Sequence, residues 1–218
     1  MADFNTIWSR VLKDEGGYQT DTEDSGNYCE NKLIGTKYGI AAINYKAYYG
    51  YCPTIQQMKD LTEAQAKAIW KKTVWDNIQG DKIDSMGIAS MILDAAGGGK
   101  SGYLHVRQAI NKSLNKNAVS ETYTMKISEN EASLINSIDE KKFLDVFYGI
   151  RKNFLMNNSL YWKYGTGWIN RLNRVYNESI SLVKKFVTEN KKTVAFTTVI
   201  GVTLIVLGVY FYIQKKKK

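Results

Sequence analysis

Phe4-Asn5-Thr6-Ile7-Trp8-Ser9-Arg10-Val11-Leu12-Lys13-Asp14-Glu15-Gly16-Gly17-Tyr18 carries the helical signal most plainly. Phe4, Ile7, Trp8, Val11 and Leu12 fall on i, i+3, i+4, i+7 and i+8, the spacing of one apolar helix face. Asp3 can cap the first turn, and Gly16-Gly17 ends the helix. The spacing predicts an amphipathic helix that stops at Glu15.

The same period recurs along the chain. Thr62 and Gln65 form a capping-box pattern ahead of Ala66, Ile69, Trp70, Thr73 and Val74. A helix around Asp84 to Ala96 carries Ile88, Met91, Ile92 and Ala95 and stops at Gly97-Gly98-Gly99. Ser101 reads as the cap of a helix reaching Asn111. Ser128 with Glu131 repeats the capping box before Leu134, Ile135 and Ile138, and Phe143, Val146, Phe147, Ile150 and Phe154 extend the pattern. Leu172, Val175, Ile180 and Val183 mark the inner side of a helix from Gly167 to Thr188. Strand signals are confined to the Tyr-rich and ambiguous stretch Thr36 to Tyr51. The expected fold class is all-α, a helical globular domain.

Thr193 to Ile213 contains no charged residue and is apolar on every face. At ~1.5 Å per residue it spans a ~30 Å hydrocarbon core, and Tyr210 and Tyr212 sit where an interfacial aromatic belt would lie. It is expected to be a C-terminal transmembrane helix, 193–213, between a juxtamembrane helix, 179–192, and a basic tail, 214–218. Lys191 and Lys192 on one side and Lys215 to Lys218 on the other leave its orientation open. No cleaved secretion signal is evident at the N-terminus.

The net charge of +9 includes four lysines of the tail, which leaves +5 for the rest. A mildly basic surface suits anionic polymers or anionic lipid. The basic residues alternate with acids and no zinc-finger, homeodomain or RNA-recognition signature is present, so no nucleic-acid partner is expected. Cys29 and Cys52 could pair in an oxidising envelope or remain two thiols. His105 is the single histidine, which argues against the zinc hydrolases that take two or more His ligands. Neither a metal nor an organic cofactor is expected.

General acid/base work on a glycoside uses two carboxyl groups in unlike environments. Glu15 ends the first helix against Trp8, Val11 and Leu12, where partial desolvation raises a carboxyl pKa. Asp24 follows in a polar stretch that keeps it ionised, with Asp21, Glu23 and Glu30 as rival second carboxylates. Asp94, within an apolar helix, is either functional or a buried carboxylate bonded to a neighbouring element.

The run Val11-Leu12-Lys13-Asp14-Glu15-Gly16-Gly17-Tyr18, with Asp24 and then Thr36-Lys37-Tyr38-Gly39-Ile40, resembles glycoside hydrolase family 108, whose members act as peptidoglycan N-acetylmuramidases. Met91 to Gly97, Val106 to Ile110, Phe147 to Phe154 and Gly167-Trp168-Ile169-Asn170-Arg171-Leu172 look like that family's second half, a predicted peptidoglycan-binding region. The resemblance implies a lysozyme-like fold with a catalytic part, 1–90, and a helical wall-binding part, 91–178. It implies hydrolysis of the β-1,4 bond between N-acetylmuramic acid and N-acetylglucosamine, with Glu15 as the acid. By analogy with phage-type lysozymes, Asp24 and Thr36 would hold the attacking water, across a link, Ser25 to Gly35, that is longer than is typical. Tyr18 and Tyr38 would line the cleft, and Trp168 and Arg171 would pack the last helix. Bacterial peptidoglycan is the expected partner, and a single-pass inner-membrane protein acting on the envelope side is the expected setting, as a phage lysis enzyme or in envelope remodelling. The other reading is a non-catalytic wall-binding or secretion-accessory protein.

Overall fold

In the computed structural model residues 1–14 and 17–183 are described. Glu15, Gly16, the expected span 193–213 and the tail 214–218 lie outside the described residues, as does most of the expected juxtamembrane helix. Helix α1, Phe4–Asp14, forms where the apolar period places it. Asp3 accepts from the Thr6 N–H at 2.9 Å and from its hydroxyl at 2.6 Å, which closes the first turn. The Ala2 N–H donates to Ile83 O at 2.7 Å, and Phe4 packs on Trp75 with ring centres 5.3 Å apart.

The stretch Thr36 to Tyr51 resolves into a hairpin of β3, Thr36–Lys37, and β4, Ile40–Ala41, followed by helix α2, Ala42–Tyr49. A second hairpin precedes it, β1, Tyr28–Cys29, against β2, Lys32–Leu33. The all-α expectation is thus corrected to a mainly helical fold with two short antiparallel hairpins. Their turns carry paired left-handed residues, Glu30 and Asn31 in one and Tyr38 and Gly39 in the other, as two-residue hairpin loops require. Cys29 and Cys52 are joined in a disulfide across 23 positions of chain, which ties β1 to the segment after α2. Closing a loop of that length contributes roughly 3 kcal/mol in the chain-entropy account.

Helices α3, Ile55–Lys59, and α4, Glu63–Trp70, both begin with reciprocal capping boxes, Thr54 with Gln57 and Thr62 with Gln65. After α4 the backbone widens into one π-turn, Lys71–Trp75, where the Asp76 N–H reaches Lys71 O at 2.9 Å. Helix α5, Met86–Gly97, is capped by Ser85, and nine of its twelve residues are buried, so it serves as the central strut. Helix α6, Lys100–Leu114, starts after Gly99 and not after Ser101, so no side chain caps it. Then come α7, Glu129–Ser137, with the expected Ser128–Glu131 box, and α8, Glu140–Met156. A last helix, α9, occupies 161–183 and begins six residues before the expected Gly167.

One hydrophobic core runs from Phe4 and Trp8 through α5 to Phe147, Leu172 and Val175, and so passes through both parts expected from the sequence. Fully burying each large apolar side chain contributes about 1.5–3 kcal/mol. Between α6 and α7 the chain is organised by one buried cation. Arg107 pairs with Glu131 at 2.6 Å and donates to the carbonyls of Thr122, Thr124 and Lys126 at 2.9, 2.9 and 2.6 Å. Among the described residues no helix is long and apolar enough to cross a membrane.

Candidate functional site

The link from Asp24 to Thr36 is folded back on itself by Asn27, a fully buried residue. Its Nδ2 donates to Asp21 O at 2.8 Å and to Gln19 Oε1 at 3.1 Å, while its carbonyl accepts from the N–H groups of Ile34 and Gly35 at 2.8 and 3.0 Å. The extra length is taken up in the β1–β2 hairpin. Thr36 therefore returns beside the start of the link and donates its hydroxyl to Asn27 Oδ1 at 2.6 Å. With its proton turned inward, the Thr36 oxygen has its lone pairs left to accept from a water. Asp24 caps the 3₁₀ turn Ser25–Asn27, accepting from the Gly26 N–H at 2.9 Å, and is otherwise exposed.

Asp24 and Thr36 lie in one wall of a cleft of about 790 Å³. The other wall is built by α8 and α9, with Phe154, Tyr164, Trp168 and Arg171. Trp70 and the Gly97-Gly98-Gly99 run also line it. A Cβ at Gly97 would come within 2.3 Å of the Trp70 ring, so only glycine lets that indole lie flat on the end of α5. Volume and mixed polar and aromatic lining suit a chain of sugars, whose faces stack on rings and whose hydroxyls bond polar groups.

Of the rival carboxylates, Asp21 and Glu23 line the cleft together with Asp24. Tyr164 donates its hydroxyl to Asp21 and Glu23 at 2.9 and 3.1 Å, and Lys163 pairs with Glu23, so the acidic loop is clasped to α9. Glu30 lies outside the lining and is paired with Lys46 at 2.7 Å, whose hydrogen bond and charge hold its carboxyl below the usual range. Asp94 bonds Arg171 Nε at 2.8 Å between α5 and α9. It thus proves to be a partially buried tie that also faces the cleft.

Glu15 lies outside the described residues. Arg10 and Val11 of α1 line a small cavity that shares Trp70, Asp94 and Arg171 with the cleft, so that part of α1 borders a cavity adjoining it. Tyr18 and Tyr38 are not among the lining residues. Tyr18 donates to Ile34 O at 2.7 Å and packs over Gly35, where a Cβ would come within 2.7 Å of its ring. Tyr38 supplies the β3–β4 turn, and its carbonyl accepts from the Trp70 indole N–H at 3.1 Å. The aromatic side chains that do face the cleft include Tyr164 and Trp168. The Gly-Trp run drew attention to Trp168 as packing, and nothing in the spacing marked Tyr164.

The family model for glycosyl hydrolase 108 matches residues 8–98, where the Glu15-Gly16-Gly17 and Thr36–Ile40 motifs led one to expect it. The structure of Brucella abortus SagA is similar in fold, with a TM-score of 0.68 at 22% sequence identity over 82% of this chain and 94% of that one. That likeness extends well past residue 98, so the shared fold takes in the helical wall. No curated protein sequence matches the chain.

Proposed function

We propose that the protein is a peptidoglycan N-acetylmuramidase, hydrolysing the β-1,4 bond between N-acetylmuramic acid and N-acetylglucosamine. The observation that carries this reading is the cleft, lined by Asp24 and Thr36 on one side and by Tyr164 and Trp168 on the other, with Arg10 and Val11 of α1 bordering an adjoining cavity. Glu15, which follows directly on Asp14 in the sequence, protonates the leaving oxygen; Asp24 acts as base, and the Thr36 oxygen helps hold the water. Residues 91–178 contribute the far wall and grip the glycan rather than its bond.

Mass spectrometry of fragments released from purified sacculi by the full-length protein tests the bond assignment. The expected products end in reducing N-acetylmuramic acid. Reducing N-acetylglucosamine would mean a different bond, and tight sacculus binding with no release would mean a wall-binding protein without hydrolysis.

In the same reading 193–213 anchors the domain in the inner membrane, on the strength of its 21 uncharged residues. A disulfide between Cys29 and Cys52 supports an oxidising envelope location for the domain. The full-length chain is expected to stay with membranes through an alkaline carbonate wash, and its appearance in the supernatant would remove the anchor.

A further inference from the structure

The cleft contains a cation that the proposed reaction leaves unused. Arg151, on α8, lines it. Arg151 Nη1 lies 3.3 Å from His105 Nδ1, and the guanidinium sits 5.8 Å from the Phe154 ring centre. The nearby carboxylate, Asp94, is already bonded to Arg171. His105 cannot offset the charge: burial, and then Arg151 itself, push its pKa down to about 4, so it stays a neutral acceptor. A guanidinium held in a protein wall without a carboxylate of its own is a standing demand for an anion.

The same wall presents a second anion-seeking feature. Gly98, Gly99 and Ser101 line the cleft at the start of α6, a fifteen-residue helix whose N-cap, Gly99, has no side chain to satisfy the first N–H groups. The positive end of the helix dipole thus opens on the cleft. His105 belongs to α6, so its contact with Arg151 places the guanidinium beside the helix about five residues, or ~8 Å, from that end.

We infer that Arg151 forms a subsite for a carboxylate carried on the glycan, with the N-terminus of α6 adding a favourable field along the same wall, and that this subsite selects muramoyl-containing strands over neutral ones. The inference rests on the muramidase reading of the cleft. Two carboxylates of peptidoglycan meet the description, that of the lactyl ether on a peptide-free muramoyl residue and those of the stem peptide. Either would take a bidentate guanidinium contact, and neither exists on a strand of N-acetylglucosamine alone.

Binding is measured by titration calorimetry with full-length protein in a Glu15→Gln background, so that probes are not consumed. The probes are chitotetraose, a peptide-free muramoyl tetrasaccharide and the same tetrasaccharide bearing its stem peptides. The muramoyl probes are expected to bind at least roughly 10-fold tighter than chitotetraose, the scale of one charge-assisted contact. Arg151→Gln removes that preference without weakening chitotetraose, and Arg151→Lys restores part of it. Ser101→Asp, which leaves Arg151 in place and sets a negative charge at the helix start, lowers the preference independently. Equal affinity of the two muramoyl probes assigns the contact to the lactyl group, and tighter binding of the peptide-bearing one assigns it to the stem. All three probes bound equally, with Arg151→Gln unchanged, overturns the subsite and leaves the muramidase reading standing. No binding of any probe overturns both.

Discussion

Glu15→Gln lowers glycan cleavage by about 10²–10⁴-fold, the contribution of a positioned general acid, while sacculus binding and thermal stability stay at wild-type level. Gln keeps the shape of Glu and loses only the proton that the leaving oxygen requires. Gln is also uncharged and of the same size, so the fold is expected to be kept while the proton is lost. Initial rates of reducing-end release from sacculi, beside pull-down of protein on the same sacculi, separate the two effects. A variant that retained more than about a tenth of the wild-type rate would fall outside that range and would return the acid's role to one of Asp21, Glu23 or Asp24.

Arg107→Ala is expected to be the most damaging substitution for stability in the second half of the chain. The ion pair with Glu131 is nearly inaccessible, with side chains 4% and 9% exposed. Removing the guanidinium leaves Glu131 with only the Ser128 N–H, at 2.7 Å, and strands the carbonyls of Thr122, Thr124 and Lys126. Breaking one partner of a buried pair costs about 3–5 kcal/mol. For a domain of this size each kcal/mol moves Tm by roughly 2–4 °C, so the loss is ~10 °C. Differential scanning calorimetry reads it directly. Replacing Arg107 and Glu131 together by Met and Leu should cost less than Arg107→Ala alone, because no buried charge is then left without its partner. The reverse order would mean that the three carbonyls, and not Glu131, carry the effect.

The parts of the fold that were legible in the sequence are those where one local rule decides the outcome. Thr62–Gln65 and Ser128–Glu131 are capping boxes in the sequence and in the structure, because a cap needs only two side chains three residues apart. The hairpins were hidden because strands of two residues are too short to alternate, and their turns use Glu30-Asn31 and Tyr38-Gly39 in place of Asn-Gly. Asn27 could not be found for a different reason: its role is set by partners from Gln19 to Thr36 brought together only by folding. Tyr18 and Tyr38 stand next to the motif in sequence, yet their side chains are drawn away by Ile34, Gly35 and a turn. Asp24 and Thr36 were found by motif and do share the cleft. The far wall was not legible, since Tyr164 meets Asp21 and Glu23 across some 140 positions of chain.

That separation bears on how the molecule comes into being on the ribosome. Helix α1 emerges first, but Arg10 lies 3.9 Å from Glu178, and the cavity beside Val11 is closed by Arg171 and Val175. At ~5–20 residues per second the growing chain waits roughly 10–30 s between making α1 and making the helix that covers it. Throughout that interval the apolar face of α1 can be only partly sheltered, and the cleft has a single wall. A nascent or prematurely ended chain therefore lacks the far side of the cleft, which is completed only with the first turns of α9, the ones that carry Tyr164, Trp168 and Arg171.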